Sequence, residues 1–325
     1  MASISRVTAG NVPIGYDRGH DGDAFAVRSG SNVDGSGHMT EALNAQTVRE
    51  WGERYSNWGR WGEDDRLGTL NFITRERVLA ACSIPSAGRV ISCALPFHPP
   101  PVGSSPGGEG LSIPLPCATQ WDALARVSYE GKIYNGRDVA GLSMDATSEN
   151  RVDPGRGGVI SRGVLLDLPR FTRQPWLENG TRIRPVDLDA CAEAFGVTVE
   201  PGDTVLVRTG MMARCLEQQS WAGYFGGPAP GLSALCARWI YEREIAAIAT
   251  DTWGVEVRPY ETPDCSQPLH LIAVRNMGLL IGEVFDLDAL ADACAEDQRY
   301  EFLFTAASLP TSGSASAPLN PLAIK

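Results

Sequence analysis

From residue 40 onward the chain alternates between two spacings of apolar positions. In TEALNAQTVREWGERY, Leu43, Val48, Trp51 and Tyr55 recur at helical intervals, which predicts a helix followed by the loop NWGRWGEDDRLGTLN. The segment TRERVLAACS predicts a second helix, with Thr74 as its cap and Pro85 beyond its end. PVDLDACAEAFG at 185–196 predicts a third, with Pro at its start and Gly at its end. GLSALCARWIYEREI and DLDALADACAED complete the helical set.

Between the helices lie short runs rich in β-branched residues. RVISCALPF, SIPLP, RGVLLDLPR, AAIATD, GLLIGEVF and YEFLFTAASL read as strands. VTVEPGDTVLVRTG reads as two strands about a PGD turn, and Arg126–Glu130 with Lys132–Asn135 as a hairpin about Gly131. Short strands interleaved with helices predict a single mixed α/β domain over residues 39–325, without repeats or an internal linker.

Residues 1–38 break this pattern. They are rich in Gly, Ser and Asp and show no sustained apolar period, so they read as a flexible leader. The junction GSGHM before Thr40 has the look of an expression-derived scar, with Met39 as the expected natural start; a genuine flexible arm is the alternative.

Composition narrows the function classes. A net charge of −11 and a pI near 4.9 argue against nucleic acid or an anionic lipid surface as partner and favour a small-molecule substrate. The eight cysteines form no C-x-x-C pair and mostly sit in apolar runs, as reduced, buried thiols of a cytoplasmic protein would. No apolar run approaches a membrane span.

With only four histidines, a centre built on several imidazoles is excluded by counting. His20 and His38 lie in the leader, and His98, flanked by LPF and PP, reads as structural or solvated. His270 draws attention because Glu283 follows inside the apolar run IGEVF, where a carboxylate needs a partner; a His270–Glu283 pair would serve both. Asp122, in TQWDAL, is a third candidate, with a turn cap as its structural alternative. Asp251 and Glu256, in TDTWGVEV, end a buried strand and read better as ion-pair or capping groups. The glycine-rich SSPGGEG at 104–110 reads as a lid, because no helix start follows it.

The run from Trp58 to Lys325 resembles the cyclase family that includes bacterial kynurenine formamidase and isatin hydrolase. The stretches that carry the resemblance are NWGRWGEDDRLGTLNFIT, TQWDALARVSYEGKIYNG, SRGVLLDLPR, PGDTVLVRTG, AAIATDTWGVEVRP, PLHLIAVRNMGLLIGEVFDLDALADACAEDQRYEFLF and APLNPLAIK. The resemblance implies a swivelling β/β/α fold assembled as homodimers or larger homo-oligomers. It also implies a loop of the form H-x-G-T-H-x-D-x-P-x-H whose first two His and Asp bind Zn or Mn and whose last His moves protons. Anchored on Thr119, the first ligand falls on Pro116, the second on Gln120, the Asp on Asp122 and the proton-transfer His on Arg126. His270 and Glu283 match the family's later His and Glu.

Three imidazoles of the implied loop are thus replaced, and metal-independent chemistry is the expectation. Asp122, His270 and Glu283 are expected as catalytic groups, with Arg126 and Gln120 donating to a developing oxyanion or a carboxylate. No cofactor is expected; a weak Zn or Mn site, if formed, would use Asp122, His270 and Glu283. Trp121, Thr119, Trp61 and Tyr129 are expected to bind substrate. The function expected is cyclisation, dehydration or ring opening of a small carbonyl-rich metabolite. Metal-dependent hydrolysis of a cyclic or N-formyl amide is one alternative, and a non-catalytic binding protein the other.

Overall fold

The longest apolar runs lie side by side in the interior. In the computed structural model, which describes residues 43–96, 118–139, 158–308 and 316–325, β3 (Val159–Asp167), β5 (Thr204–Arg208), β7 (Ala247–Thr250) and β8 (Leu280–Glu283) are mutually parallel neighbours. Both faces of this block are covered, so VLL, TVLV, AIAT and LIGE are buried residue after residue rather than alternately. Parallel neighbours need long crossovers, and helices 168–172 and 185–194, 211–217 and 236–242, then 268–277, supply them.

Antiparallel strands extend the block on both sides. Beyond β3 lie β9 (Glu301–Ala306), β11 (Leu322–Ile324) and β1 (Val90–Ser92); beyond β8 lie β2 (Gln120–Asp122) and β10 (Ser316–Pro318). The described strands form a nine-stranded sheet, plus a parallel pair of β4 (Arg182–Ile183) and β6 (Gly231–Leu232). In β9, Phe302, Phe304 and Ala306 point inward while the residues between them are half-buried, the alternation of a strand with one covered face. Leu43–Lys325 forms one compact unit, the mixed α/β domain that the pattern predicts.

Helix Ala45–Arg54 is capped by Asn44, and Arg75–Cys82 by the expected Thr74. Several expectations are corrected. Only Thr204–Arg208 of VTVEPGDTVLVRTG is a strand, because the Asp203 carboxylate accepts from the Glu200 amide at 2.7 Å and closes the preceding residues into a turn. The turn about Gly131 forms, with Glu130 and Gly131 both at positive φ. Its arms stop at isolated bridges, because Tyr134 turns inward to hydrogen-bond Asp65 at 2.9 Å. The run 231–245 contributes β6 first and is helical only over Cys236–Glu242. Beyond YEFLFTAASL, where no further strand is expected, the chain end carries β10 and β11. The leader, the strand SIPLP, His98, Pro116 and the segment 104–110 lie outside the described residues.

Candidate functional site

Alternation along β2 sorts the loop's residues onto two faces. β2 pairs antiparallel with β8 in the register Gln120 with Glu283, Trp121 with Gly282 and Asp122 with Ile281. Gln120, Asp122 and Glu283 therefore share one face of the sheet, and Trp121 points to the other. There Trp121 is fully buried, 5.2 Å from the Phe285 ring and 6.4 Å from Phe304 between centroids. Gly282 makes this possible, since a Cβ there would stand 2.5 Å from the Trp121 ring. The expectation that Trp121 walls a substrate pocket is thus corrected: it is core.

Thr119 is also structural in its contacts. Its hydroxyl accepts from the Leu95 amide at 2.8 Å and donates to the Val284 carbonyl at 2.6 Å, tying the start of β2 to the end of β8. Trp61 packs edge-on against Phe72 under the Arg60 guanidinium, and Tyr129 accepts from Arg49 at 2.9 Å beneath Arg275. None of these contacts involves Asp122, His270 or Glu283.

Those three are brought together, all buried, with one potential ligand atom from each within 4.8 Å of the others. Arg126 donates from Nε to Asp122 Oδ2 at 2.9 Å, a guanidinium set directly on a buried carboxylate. Gln120 donates from Nε2 to Glu283 Oε2 at 3.0 Å. His270 arrives from the opposite side, on a short helix, Pro268–His270, that continues as a π-helix over Leu271–Met277.

Glu256 fixes that histidine. Its carboxylate accepts from the Leu269 amide at 3.1 Å and the His270 amide at 3.3 Å, capping the helix, and also hydrogen-bonds His270 Nδ1. The expected His270–Glu283 pair therefore takes a different form. Nε2 lies 3.9 Å from Glu283 Oε1, beyond hydrogen-bonding reach, and is buried without a partner among the described residues, as is Gln120 Oε1. The capping reading of Glu256 in TDTWGVEV matches its bonds to the helix amides, but its hold on the imidazole was missed. Nothing local signals it, since fourteen residues separate the two.

The electrostatics follow from burial. Burial pushes Glu283 up to about 8, reinforced by the Asp122 charge and opposed by His270, Arg126 and Gln120. Burial works against a charge on His270, yet Glu256, with Glu283 and Asp122 behind it, holds the imidazole above its ordinary value. A carboxyl raised to about 8 and an imidazole held above its ordinary value thus stand beside a carboxylate ion-paired with Arg126.

The chain belongs to the cyclase family: the family described as "Putative cyclase" matches residues 23–257. A solved structure described as a novel cyclase is 31% identical, with a TM-score of 0.72 over 84% of this chain and 99% of that one. Isatin hydrolase A from Ralstonia solanacearum has the same fold at 19% identity and a TM-score of 0.52, covering 78% of this chain and 98% of its own. No curated protein sequence matches. Family and fold are those implied by the resemblance, and the chain is an enzyme of that family. No helix among the described residues is long and apolar enough to cross a membrane.

Proposed function

We infer that the protein is an acid–base enzyme that cyclises, dehydrates or opens a small carbonyl-rich metabolite without a catalytic metal. The observation that carries this reading is the Arg126 guanidinium on Asp122. It places a resident cation on the one carboxylate of the family loop that this chain retains. In the mechanism, His270 Nε2, its ring held by Glu256 at Nδ1, takes a proton from the carbon beside a carbonyl. The Glu283 carboxyl returns a proton to the oxygen, and Arg126 and Gln120 donate to that oxygen as charge develops. In a dehydration the same Glu283 proton leaves with the departing hydroxyl as water.

A specific observation favours a second reading, metal-dependent hydrolysis. The unpartnered His270 Nε2 and Gln120 Oε1, with an imidazole supported by a carboxylate, are what a metal-ligating set requires. Asp122, His270, Glu283 and Gln120 would hold the ion, which would supply a Lewis acid and a low-pKa water.

Metal analysis of the protein purified without chelator separates the two. It is to be read beside α-proton exchange of 1-tetralone in deuterated buffer. Exchange that survives chelation and is lost in His270→Asn, with melting unchanged, supports acid–base catalysis. Stoichiometric Zn or Mn that is absent from Asp122→Asn, with activity lost on chelation, overturns it.

A further inference from the structure

The segment that carries Glu256 carries a second group, two residues on. Residues 256–258 are extended, bridged to Leu232 at Glu256 and to Ala229 at Arg258. Side chains two apart on an extended chain share a side, so Arg258 emerges on the side from which Glu256 reaches His270, with the buried Val257 opposite. The same stretch lies against the end of β8, where the Val284 amide donates to the Thr252 carbonyl at 2.9 Å and Trp253 packs against the small cluster that includes Val284.

Arg258 lies over two aromatic rings, its guanidinium carbon 4.4 Å from the Trp253 centroid and 4.8 Å from that of Tyr260. Contacts with two rings hold the guanidinium in place and leave its N–H edge as the binding surface. Among the described residues that edge meets no acceptor. Other ring-stacked arginines give their donors away: Arg49 to Glu130, Arg60 to Glu244, Arg243 to Asp189 and Arg275 to the Lys132 carbonyl. Arg54, the remaining one, is exposed and touches one ring. The Trp253 Nε1 beside Arg258 is a second donor, buried and also without a partner.

Tyr260 connects this clamp to the reaction centre. Burial raises its hydroxyl to about 12, the Arg258 charge opposes the rise, and Glu256 and Glu283 both add to it. The phenol therefore lies within electrostatic reach of the clamp's cation and of the acid–base carboxylates together.

We propose that Arg258, held against the Trp253 and Tyr260 rings and assisted by Trp253 Nε1, binds the carboxylate of a planar aromatic substrate whose reacting carbonyl lies at Glu283 and His270. The substrate class is thus an aromatic acid carrying a second, reactive carbonyl group. This rests on the reading of the Glu283 cluster as the reaction centre. Binding energy from the remote carboxylate then orients the carbonyl for proton transfer.

Calorimetric titration of the full chain with benzoate, and with its neutral analogue benzamide, tests the assignment. A charge-assisted hydrogen bond contributes enough that benzoate should bind about ten to a hundredfold more tightly. Arg258→Met should abolish that preference while leaving benzamide within about twofold, and Arg258→Lys should restore part of it. His270→Asn should leave it intact, which keeps this result separate from the fate of the acid–base reading. A wild-type protein without preference for benzoate, or an Arg258→Met protein that keeps one, overturns the proposal. So does benzoate binding that disappears on chelation and ignores Arg258, because a metal would then be holding the carboxylate.

Discussion

His270 and Glu256 form a unit in which one carboxylate caps the helix through the Leu269 and His270 amides and hydrogen-bonds the imidazole at Nδ1. The other ring nitrogen, Nε2, stands 3.9 Å from Glu283 Oε1 without a hydrogen-bond partner among the described residues. The arrangement fixes backbone and ring orientation at once, so under the proposed acid–base reading a change at Glu256 acts on the site through His270 without touching substrate.

Glu256→Gln should therefore behave as a positioning variant. An amide can keep one bond to the helix amides but cannot stabilise a charge on the imidazole. Turnover should fall about 10- to 100-fold, the usual effect of removing a histidine's orienting partner. The acidic limb of the pH–rate profile should move to lower pH, because the lost carboxylate no longer favours the protonated ring. Unfolding should cost roughly 1–3 kcal/mol less, from buried donors left poorly paired. An unmoved pH profile would reduce Glu256 to a helix cap.

Glu283 links stability to pH. Its folded-state value is raised to about 8, above that of an unfolded chain, so the folded protein binds the extra proton. That stability is fully present below the ordinary glutamate value of about 4.3 and is lost as pH rises through about 8. Melting temperature should decline between about pH 4.3 and pH 8 and level off above that. Glu283→Gln, which mimics the protonated form, should flatten that decline. An identical slope between about pH 4.3 and 8 in the variant would show that Glu283 ionises freely in the fold.

Trp121 separates core from site within a single strand. Trp121→Ala removes a buried ring packed on Phe285 and Phe304 and should cost about 3–5 kcal/mol in denaturant titration. Benzoate and benzamide should keep their relative affinities in whatever fraction stays folded. A selective change in ligand preference would put Trp121 in the pocket after all.

The parallel block was legible because strands buried on both faces leave continuous apolar runs, and AAIATD and GLLIGEVF matched β7 and β8 closely. The edge strand β10 and the last strand β11 were not, because their partners are set by sheet closure across distant chain segments. In the site, Asp122, His270 and Glu283 could be named from single acidic or imidazole groups in apolar surroundings. Which face each residue takes needed the register of β2 on β8, and that is why Trp121, flanked by two site residues, was misplaced. Arg258 gave no signal in sequence, since its two ring partners define it only in three dimensions.

The same register makes the metal loop implied by the family resemblance testable by substitution. A histidine at position 120 would share a face with Asp122 and stand opposite Glu283. The guanidinium on Asp122 is the electrostatic obstacle to a dication there. Gln120→His alone should therefore gain little Zn, because Arg126 still neutralises Asp122. Combined with Arg126→His, which removes that charge and adds an imidazole, Zn affinity should rise by about tenfold or more. Binding should also release protons and strengthen as pH rises from about 6 to 8, since the imidazoles must be neutral to ligate. Equal Zn affinity in the double variant and the wild type would mean that Asp122 and position 120 do not converge on one ion. Tight Zn binding in Gln120→His alone would mean that Arg126 is no barrier to a metal, and the metal-independent reading of the natural site would lose its main support.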